Sequence, residues 1–140
     1  MTAHVEETLV LIKPDGVARN LIGEVLGRIE TKGYEIVDLK LFEPERRLLA
    51  AHYEEHLGKS FYESLIEFME SGPIVAVRVA GNRVIEGFRS LAGTTDPTTA
   101  APGTIRGDLG RDWGENVQQN IVHGSDSPES AARELALWFD

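Results

Sequence analysis

The residues best suited to chemistry lie in one short segment, Asn120–Asp126. His123 follows an apolar pair and is followed at once by Gly-Ser-Asp, so it stands where a short predicted strand meets a loop. An imidazole held there can act as a covalent nucleophile if one ring nitrogen is free and a partner, often a carboxylate, holds the other. Glu134, on the helix predicted to follow, is a candidate for that carboxylate. On these residues alone, a structural histidine remains the alternative interpretation.

Three basic residues are candidates to converge on this histidine: Lys13, Arg89 and Arg106. Phosphoryl transfer needs positioning and cations on the phosphate oxygens more than it needs further covalent chemistry. The formal net charge of −9 means that a small anionic ligand would require a local cationic pocket. The same charge disfavours nucleic acid as a main partner. Taken singly, each basic residue also fits an ordinary surface charge.

A second motif has the spacing of a metal site. His52–His56 matches the His-x-x-Glu-His pattern of one metalloprotease class. Histidines four apart on a helix face the same way and can share a zinc ion. No third ligand is evident downstream, so we favour a Glu-rich solvated helix. The glycine-rich phosphate loop and the Gly-x-Gly-x-x-Gly fingerprint are both missing from the sequence.

The apolar pattern predicts the elements that must position these residues. Four short apolar runs read as strands: Thr8–Lys13, Tyr34–Phe42, Ile74–Ala80 and Ile121–Val122. Helical patterns lie between and after them: one capped by Asn20 and closed by Gly33, one from Pro44 to about Leu57, one from Phe61 as far as Gly72-Pro73, one capped by Asn82, and one from Glu129 to Leu137.

This order predicts a single domain over residues 1–140 with an α+β, ferredoxin-like, split β-α-β fold, in which helices pack on the sheet. A small doubly wound α/β sheet is the alternative. The long segment from Gly93 to about Asn120 is predicted to be irregular, and loops of that length inside a domain are usually functional or disordered.

The composition gives expectations about the compartment. There is no cysteine, no secretory signal and no apolar run long enough to span a membrane. We therefore expect a cytoplasmic protein with no membrane association.

From Thr8 to Phe139 the sequence closely resembles the nucleoside diphosphate kinases. Asn120–Asp126 resembles the active-site signature of that family and is highly specific. Three further segments match in the same order: Leu11–Val17, Ser71–Pro73 and Pro102–Asp108. The resemblance implies a ferredoxin-like, four-stranded antiparallel sheet.

The resemblance also implies an activity. The terminal phosphate of a nucleoside triphosphate, chiefly ATP, would pass to a nucleoside diphosphate by a ping-pong mechanism through a phosphohistidine on His123. Glu134 and Ser125 would orient that ring, and Tyr53 would lie near the reacting group. Mg²⁺ would be carried by the nucleotide phosphates and not by protein ligands.

Further roles follow from the resemblance for the nucleotide-binding positions. Arg89, Thr95 and Arg106 would bind phosphates, Lys13 and Asn120 the ribose hydroxyls, and Phe61 the base, with Leu65 and Val117 beside it. Stacking with few base-edge hydrogen bonds would allow broad base tolerance. A homo-oligomer is implied, and the thirteen residues 107–119, a longer loop than in many relatives, leave a tetramer and a hexamer both open. A relative that has lost activity and serves as a binding module is the rival interpretation.

Overall fold

The computed structural model describes residues 5–114 and 119–139. Four strands form one sheet in the order β2-β3-β1-β4, and every neighbouring pair is antiparallel. The strands are β1 (Glu6–Ile12), β2 (Glu35–Phe42), β3 (Ile74–Gly81) and β4 (Val122–Gly124). The predicted ferredoxin-like α+β fold is confirmed, and the doubly wound alternative is wrong, because such a fold requires a mostly parallel sheet.

Seven α-helices and one short 3₁₀ segment connect and cover the strands in the part of the chain that the structure describes. They are α1 (Pro14–Ala18), α2 (Ile22–Thr31), α3 (Arg46–His52), the 3₁₀ segment Glu54–His56, α4 (Tyr62–Met69), α5 (Val84–Ala92), α6 (Ile105–Leu109) and α7 (Pro128–Phe139). None of the described helices is long and apolar enough to cross a lipid bilayer.

The central strand β1 is buried on both faces. Val10 and Ile12 belong to an apolar cluster with residues of α2 and α5, and Leu9 and Leu11 belong to a second cluster with residues of α3, α4 and α7. A strand covered on both faces has no polar side in its middle, which explains its continuous apolar run. In the register of β1 with β4, Leu11 lies opposite His123. The core of the fold thus fixes the position of the candidate nucleophile.

The two predicted asparagine caps are wrong. The N-cap of α2 is Leu21, and Asn20 stands before it with φ of 61°. The N-cap of α5 is Arg83, with φ of 54°, and the side chain of neither N-cap residue caps its own helix. In α5 the Glu6 carboxylate, from β1, accepts a hydrogen bond of 3.3 Å from the Ile85 amide in the first turn. Asparagine is one of the few residues besides glycine that readily adopt the left-handed conformation, and this preference prevailed over capping at Asn20. The predicted close of α2 by Gly33, with φ of 101°, is confirmed.

The helix predicted from Pro44 to about Leu57 is broken at Tyr53. Helix α3 ends at His52, and a 3₁₀ turn follows. Arg133 of α7 donates hydrogen bonds of 3.0 and 3.1 Å to the carbonyls of Ala51 and His52. Because the last carbonyls of a helix need partners, this guanidinium stabilises the early end.

The segment predicted to be irregular, Gly93 to about Asn120, contains helix α6. Thr104 caps it, since the Thr104 hydroxyl accepts a hydrogen bond of 2.9 Å from the Gly107 amide. A helix of five residues leaves too little apolar periodicity to be read from sequence. Helix α1, which has Pro14 at its first position, was likewise not predicted from the sequence.

Candidate active site

A hydrogen-bonded chain holds the ring of His123. The Nε2 atom of His123 lies 3.0 Å from Oε1 of Glu134, and the hydroxyl of Ser125 donates to the same oxygen at 2.7 Å. The Ser125 hydroxyl also accepts from the amide of Leu9 at 3.2 Å, so the chain is anchored in β1. The three residues predicted to form the nucleophile and its support therefore lie together.

Two opposing effects act on the Glu134 carboxyl. Burial alone would raise the pKa of Glu134, but the hydrogen bond and charge of His123, followed by the hydrogen bond from Ser125, bring that pKa below its usual value. The carboxylate therefore stays ionised near neutral pH. An ionised Glu134 accepts a hydrogen bond from the N–H group at Nε2 of His123. The neutral ring is therefore the Nε2–H tautomer, and its lone pair lies on Nδ1.

An unusual backbone conformation precedes His123. Ile121 has φ of 74°, and the amide of Val122 donates to the carbonyl of Asn120 at 2.8 Å, which is the hydrogen bond of a γ-turn. A β-branched residue in this conformation is strained, and its surroundings must hold it there. The Asp15 carboxylate accepts from the Ile121 amide at 3.1 Å, and the Lys13 amide donates to the Ile121 carbonyl at 2.7 Å. Contacts from the end of β1 and the start of α1 thus fix the turn that presents His123.

Lys13 and Asn120 are joined on the cationic side of the site. The Lys13 ammonium donates to the Asn120 side-chain oxygen at 2.8 Å, and the Asn120 amide donates to the Thr95 carbonyl at 3.0 Å. Burial, followed by the charge of Arg106, lowers the pKa of Lys13 to about 8, although the nearby Asp15 opposes the shift. A buried ammonium next to a guanidinium places two cations side by side, and such strongly perturbed groups in a cleft are typical of functional sites.

Arg106 contacts the backbone of two segments that frame the site. Its guanidinium donates to the carbonyls of Gly93 at 2.9 Å, Asn120 at 3.2 Å and Val122 at 2.6 Å. Burial, and then the charge of Arg89, lower the pKa of Arg106 to about 10. Since a guanidinium has five N–H donors, two have no partner among the residues that the structure describes and can bind a ligand.

These groups line one cleft with a volume of about 330 Å³. The predicted residues that line it are Lys13, Tyr53, Arg89, Thr95, Arg106, Asn120, His123 and Glu134. Ser125 is fully buried and lies behind Glu134. The cleft is formed where the end of β1, β4, α3, α5 and α7 meet.

Aromatic rings form one wall of the cleft. The ring of Tyr53 lies edge-on to His52, with centroids 4.5 Å apart, and is stacked on His56 at 6.2 Å. Burial, and then the charge of Glu134, raise the pKa of Tyr53, so its hydroxyl stays protonated. The phenol is therefore a donor or acceptor in the cleft and not an anion.

The zinc pair suggested by the spacing of His52 and His56 is not formed. Helix α3 ends at His52, and the Nδ1 atom of that residue accepts a hydrogen bond of 3.0 Å from the indole of Trp138. Among the described residues, the group of histidine and carboxylate side chains close enough to hold a metal is His52, His123 and Glu134. Because two of its ring nitrogens already bind protein partners, this group is a hydrogen-bonded cluster.

Two of the predicted base-binding residues, Phe61 and Leu65, do not line this cleft. Phe61 precedes α4, is 44% exposed and contacts the ring of His56 edge-on at 5.3 Å. Leu65, one turn further along, is half-buried against the core. His56 thus links Phe61 to the aromatic wall. Val117 lies outside the described residues.

Sequence reasoning missed His52 and Asp15 as parts of the site. His52 is 3% exposed, lines the cleft and contacts the ring of His123, with centroids 4.8 Å apart. Asp15 holds the turn before His123. The signal for Asp15 was its place beside Lys13 in a matching segment. The only sequence signal at His52 was its spacing from His56, which is typical of a metal site.

Comparison with known proteins gives one consistent result. The family model described as "Nucleoside diphosphate kinase" matches residues 6–140. A nucleoside diphosphate kinase of Thermobifida fusca is 62% identical over 134 residues, covering 96% of each chain. One of Saccharopolyspora erythraea is 59% identical over 135 residues, again covering 96% of each.

Solved structures agree with the sequence matches. A halophilic nucleoside diphosphate kinase from Halobacterium salinarum, in complex with CDP, is 44% identical with a TM-score of 0.92, over 98% of this chain and 89% of that one. A transition-state mimic of the Borrelia burgdorferi enzyme, with bound vanadate and ADP, is 34% identical with a TM-score of 0.91, over 97% and 88% of the two chains. With its signature segment, its cleft and these relatives in agreement, the chain belongs to the nucleoside diphosphate kinase family.

Proposed function

We propose that His123 is the residue through which this chain moves phosphate between nucleotides. The observation that carries the proposal is the 3.0 Å contact between Nε2 of His123 and Glu134. That contact places the proton on Nε2 and leaves the Nδ1 lone pair available for attack. Glu134 and Ser125 orient the ring, and Tyr53 stands at the reacting group.

The transfer has two balanced halves. The Nδ1 lone pair attacks the terminal phosphorus of a nucleoside triphosphate, the bond to the bridging oxygen breaks, and the diphosphate leaves with that electron pair. A terminal oxygen of a second diphosphate then attacks the same phosphorus, and the bond to Nδ1 breaks and restores the lone pair. One cleft serves donor and acceptor in turn, so the kinetics are ping-pong.

The cationic side of the cleft supports the phosphates. The exposed Arg89 and the two remaining donors of Arg106 would bind the phosphate oxygens. Thr95 lines the same part of the cleft. Cations and fixed donors on the equatorial oxygens stabilise the charge that develops during phosphoryl transfer. Lys13 and Asn120, already bonded to each other, bind the ribose hydroxyls.

Mg²⁺ is proposed to enter with the nucleotide. Of the carboxylates that line the cleft, Glu134 is engaged by His123 and Ser125, and Glu55 and Asp126 are exposed; among the described residues they do not come together as a carboxylate cage. This arrangement fits an ion held by phosphate oxygens and water, the usual mode for magnesium. When bound, the ion neutralises negative charge on the phosphates.

The base is proposed to stack on Phe61, with Leu65 and Val117 beside it. A half-exposed aromatic face offers area to any base and few base-specific hydrogen bonds. Broad base tolerance follows, with ATP as the main donor.

We also propose a cytoplasmic homo-oligomer, either a tetramer or a hexamer. Edge strand β2 carries three exposed apolar side chains at alternate positions, Val37, Leu39 and Leu41, with exposures of 47, 47 and 58%. An apolar edge strand favours pairing with another strand, and identical copies can meet there across a two-fold axis. Such dimers are the building block of both assemblies.

The function is tested by mixing the purified protein with ATP labelled on the terminal phosphate. The wild type should acquire acid-labile, alkali-stable phosphate on the peptide that contains His123, without any acceptor present. His123→Ala should acquire none and should lose transfer while its circular dichroism spectrum is unchanged. Double-reciprocal plots at several acceptor concentrations should be parallel. Turnover by folded His123→Ala, or intersecting lines without phosphoenzyme, would overturn the proposal.

A further inference from the structure

A buried hydrogen bond fixes the protonation form of His52. The indole Nε1 of Trp138 lies 3.0 Å from Nδ1 of His52, and both side chains are almost fully buried. An indole can only donate, so Nδ1 must be the acceptor. A neutral His52 therefore carries its proton on Nε2.

His52 stands beside the candidate nucleophile. Its ring meets the ring of His123 edge-to-face, with centroids 4.8 Å apart and an interplanar angle of 76°. One ring nitrogen of each histidine and a carboxylate oxygen of Glu134 all lie within 4.8 Å of one another. Glu134 and Trp138 are one turn apart on α7, so a single helix holds both imidazoles.

The charged groups around His52 come from three elements. His123 faces it from β4, Glu134 and Arg133 from α7, and Lys13 from the end of β1. Burial, and then electrostatic repulsion from the neighbouring His123, lower the pKa of His52 to about 3. His52 is consequently neutral at any pH where the protein is expected to work, and only its tautomer is left to be set.

The tautomer matters because of what the other form would do. With its proton on Nδ1, His52 would clash with the indole donor and would offer Nε2 as an acceptor. That acceptor would compete with Glu134 for the proton on Nε2 of His123. The ring of His123 would then have two alternative partners and no single orientation.

We propose that His52 is a positioning residue for His123: the Trp138 indole fixes it as the Nε2–H tautomer, and in that form its ring keeps the His123 imidazole turned toward Glu134. The inference rests on the proposed role of His123 as phosphate acceptor. The tautomer of His52 is nevertheless measurable without any turnover, so the two ideas can fail separately.

The test begins with long-range ¹H–¹⁵N spectra of protein labelled on its histidine rings. Wild-type His52 should appear as the pure Nε2–H form, unchanged between pH 8 and 5. In Trp138→Phe it should become a mixture or the opposite form. Phe42→Leu is the matched control, since Phe42 packs edge-on to the same indole at 5.8 Å but does not touch the hydrogen bond. That variant should keep the wild-type tautomer.

Rapid mixing with ATP supplies the functional half of the test. Loss of one hydrogen bond should slow phosphorylation of Trp138→Phe roughly threefold to tenfold, while the ATP Kd stays constant. His52→Phe should be slowed to the same degree, and His52→Gln, whose amide can both accept and donate, should recover part of the rate. The double variant Trp138→Phe with His52→Phe should be no slower than His52→Phe, because the indole acts through His52.

Several results would overturn the inference. They are a wild-type His52 protonated on Nδ1, wild-type phosphorylation by Trp138→Phe, or losses that multiply in the double variant. If Trp138→Phe does not fold, the contrast between His52→Gln and His52→Phe decides the question alone, and equal rates for the two would contradict the inference. If phosphate is instead found on another residue, the proposed function fails while the tautomer result stands.

Discussion

The ammonium of Lys13 and the side-chain oxygen of Asn120 are 2.8 Å apart, although 107 positions separate them in sequence. The bond joins the end of β1 to the turn before β4, next to the guanidinium of Arg106. Lys13 is thus held in place before any ligand arrives. Its charge, however, depends on pH in the range where enzymes are assayed.

Nucleotide binding should weaken as pH rises through about 8. The pKa of Lys13 is lowered to about 8, so the free protein loses this cation above that pH, whereas an anionic ligand favours the protonated form. We expect the Kd for ADP, measured by calorimetry from pH 7 to 9, to increase across this interval, which lies below the pKa of about 10 of Arg106. Lys13→Arg stays charged throughout, so its Kd should be flat over the same range even if it is weaker overall. A flat wild-type curve would contradict the assignment.

The stability supplied by Glu134 should disappear in acid. Its folded-state pKa lies below the usual value, so its contribution is complete above the unfolded pKa of about 4.3 and is lost as pH falls through the lower folded value. The difference in unfolding free energy between wild type and Glu134→Gln should therefore be largest near neutral pH and shrink below about pH 4. Urea titrations at several pH values measure it. Glu67→Gln, an exposed change on α4, should show a much smaller difference at every pH.

Gly124→Ala should destabilise the fold next to the nucleophile. A Cβ atom at this position would lie 2.6 Å from the ring of Phe88, a side chain with no exposed surface. Overpacking of this kind costs about 1–3 kcal/mol. Gly27→Ala on α2 is the control, because nothing lies within 4 Å of its added Cβ. That change should be neutral or stabilise by up to about 1 kcal/mol, and equal urea midpoints for the two variants would show the packing argument to be wrong.

Phe61→Ala should weaken the binding of all bases alike. If the proposed stacking holds, the loss is roughly 1–3 kcal/mol for purine and pyrimidine diphosphates. Calorimetry with four diphosphates compares them directly. A loss confined to one base would mean that Phe61 contributes specificity by another contact.

Leu39→Lys should dissociate the proposed assembly. The substitution places a buried charge in any two-fold contact between β2 strands, and edge lysines are known to block strand pairing. Light scattering after size exclusion should show a smaller species. Leu57→Lys is the control, because this leucine is 71% exposed and lies outside β2. That variant should form an assembly of the wild-type mass. An unchanged mass for Leu39→Lys would place the interface elsewhere.

The strands and the place of His123 at a strand end could be predicted because their signals are local. A run such as Leu9 to Ile12, ended by Pro14, predicts a buried strand from its own residues alone. The polar neighbours of His123 lie in the same segment. In both cases the residues that determine the structure are neighbours in sequence.

The remaining features depend on residues distant in sequence. Helix α3 stops at His52 because Arg133, some eighty positions later, binds its last carbonyls. The protonation form of His52 depends on Trp138, which is 86 positions away. No periodicity in the α3 segment carries that information, which is why the spacing of His52 and His56 offered only a solvated helix or a zinc pair and not a buried His52.

The three carbonyl contacts of Arg106 have a consequence for affinity. An arginine free in solution samples many rotamers, and ordering it costs on the order of 1.5–2 kcal/mol. Here Gly93, Asn120 and Val122 hold the guanidinium before any phosphate is present. The conformational entropy of this side chain is therefore lost when the protein folds. A phosphate that binds to Arg106 does not have to order it, so its affinity is not reduced by that cost.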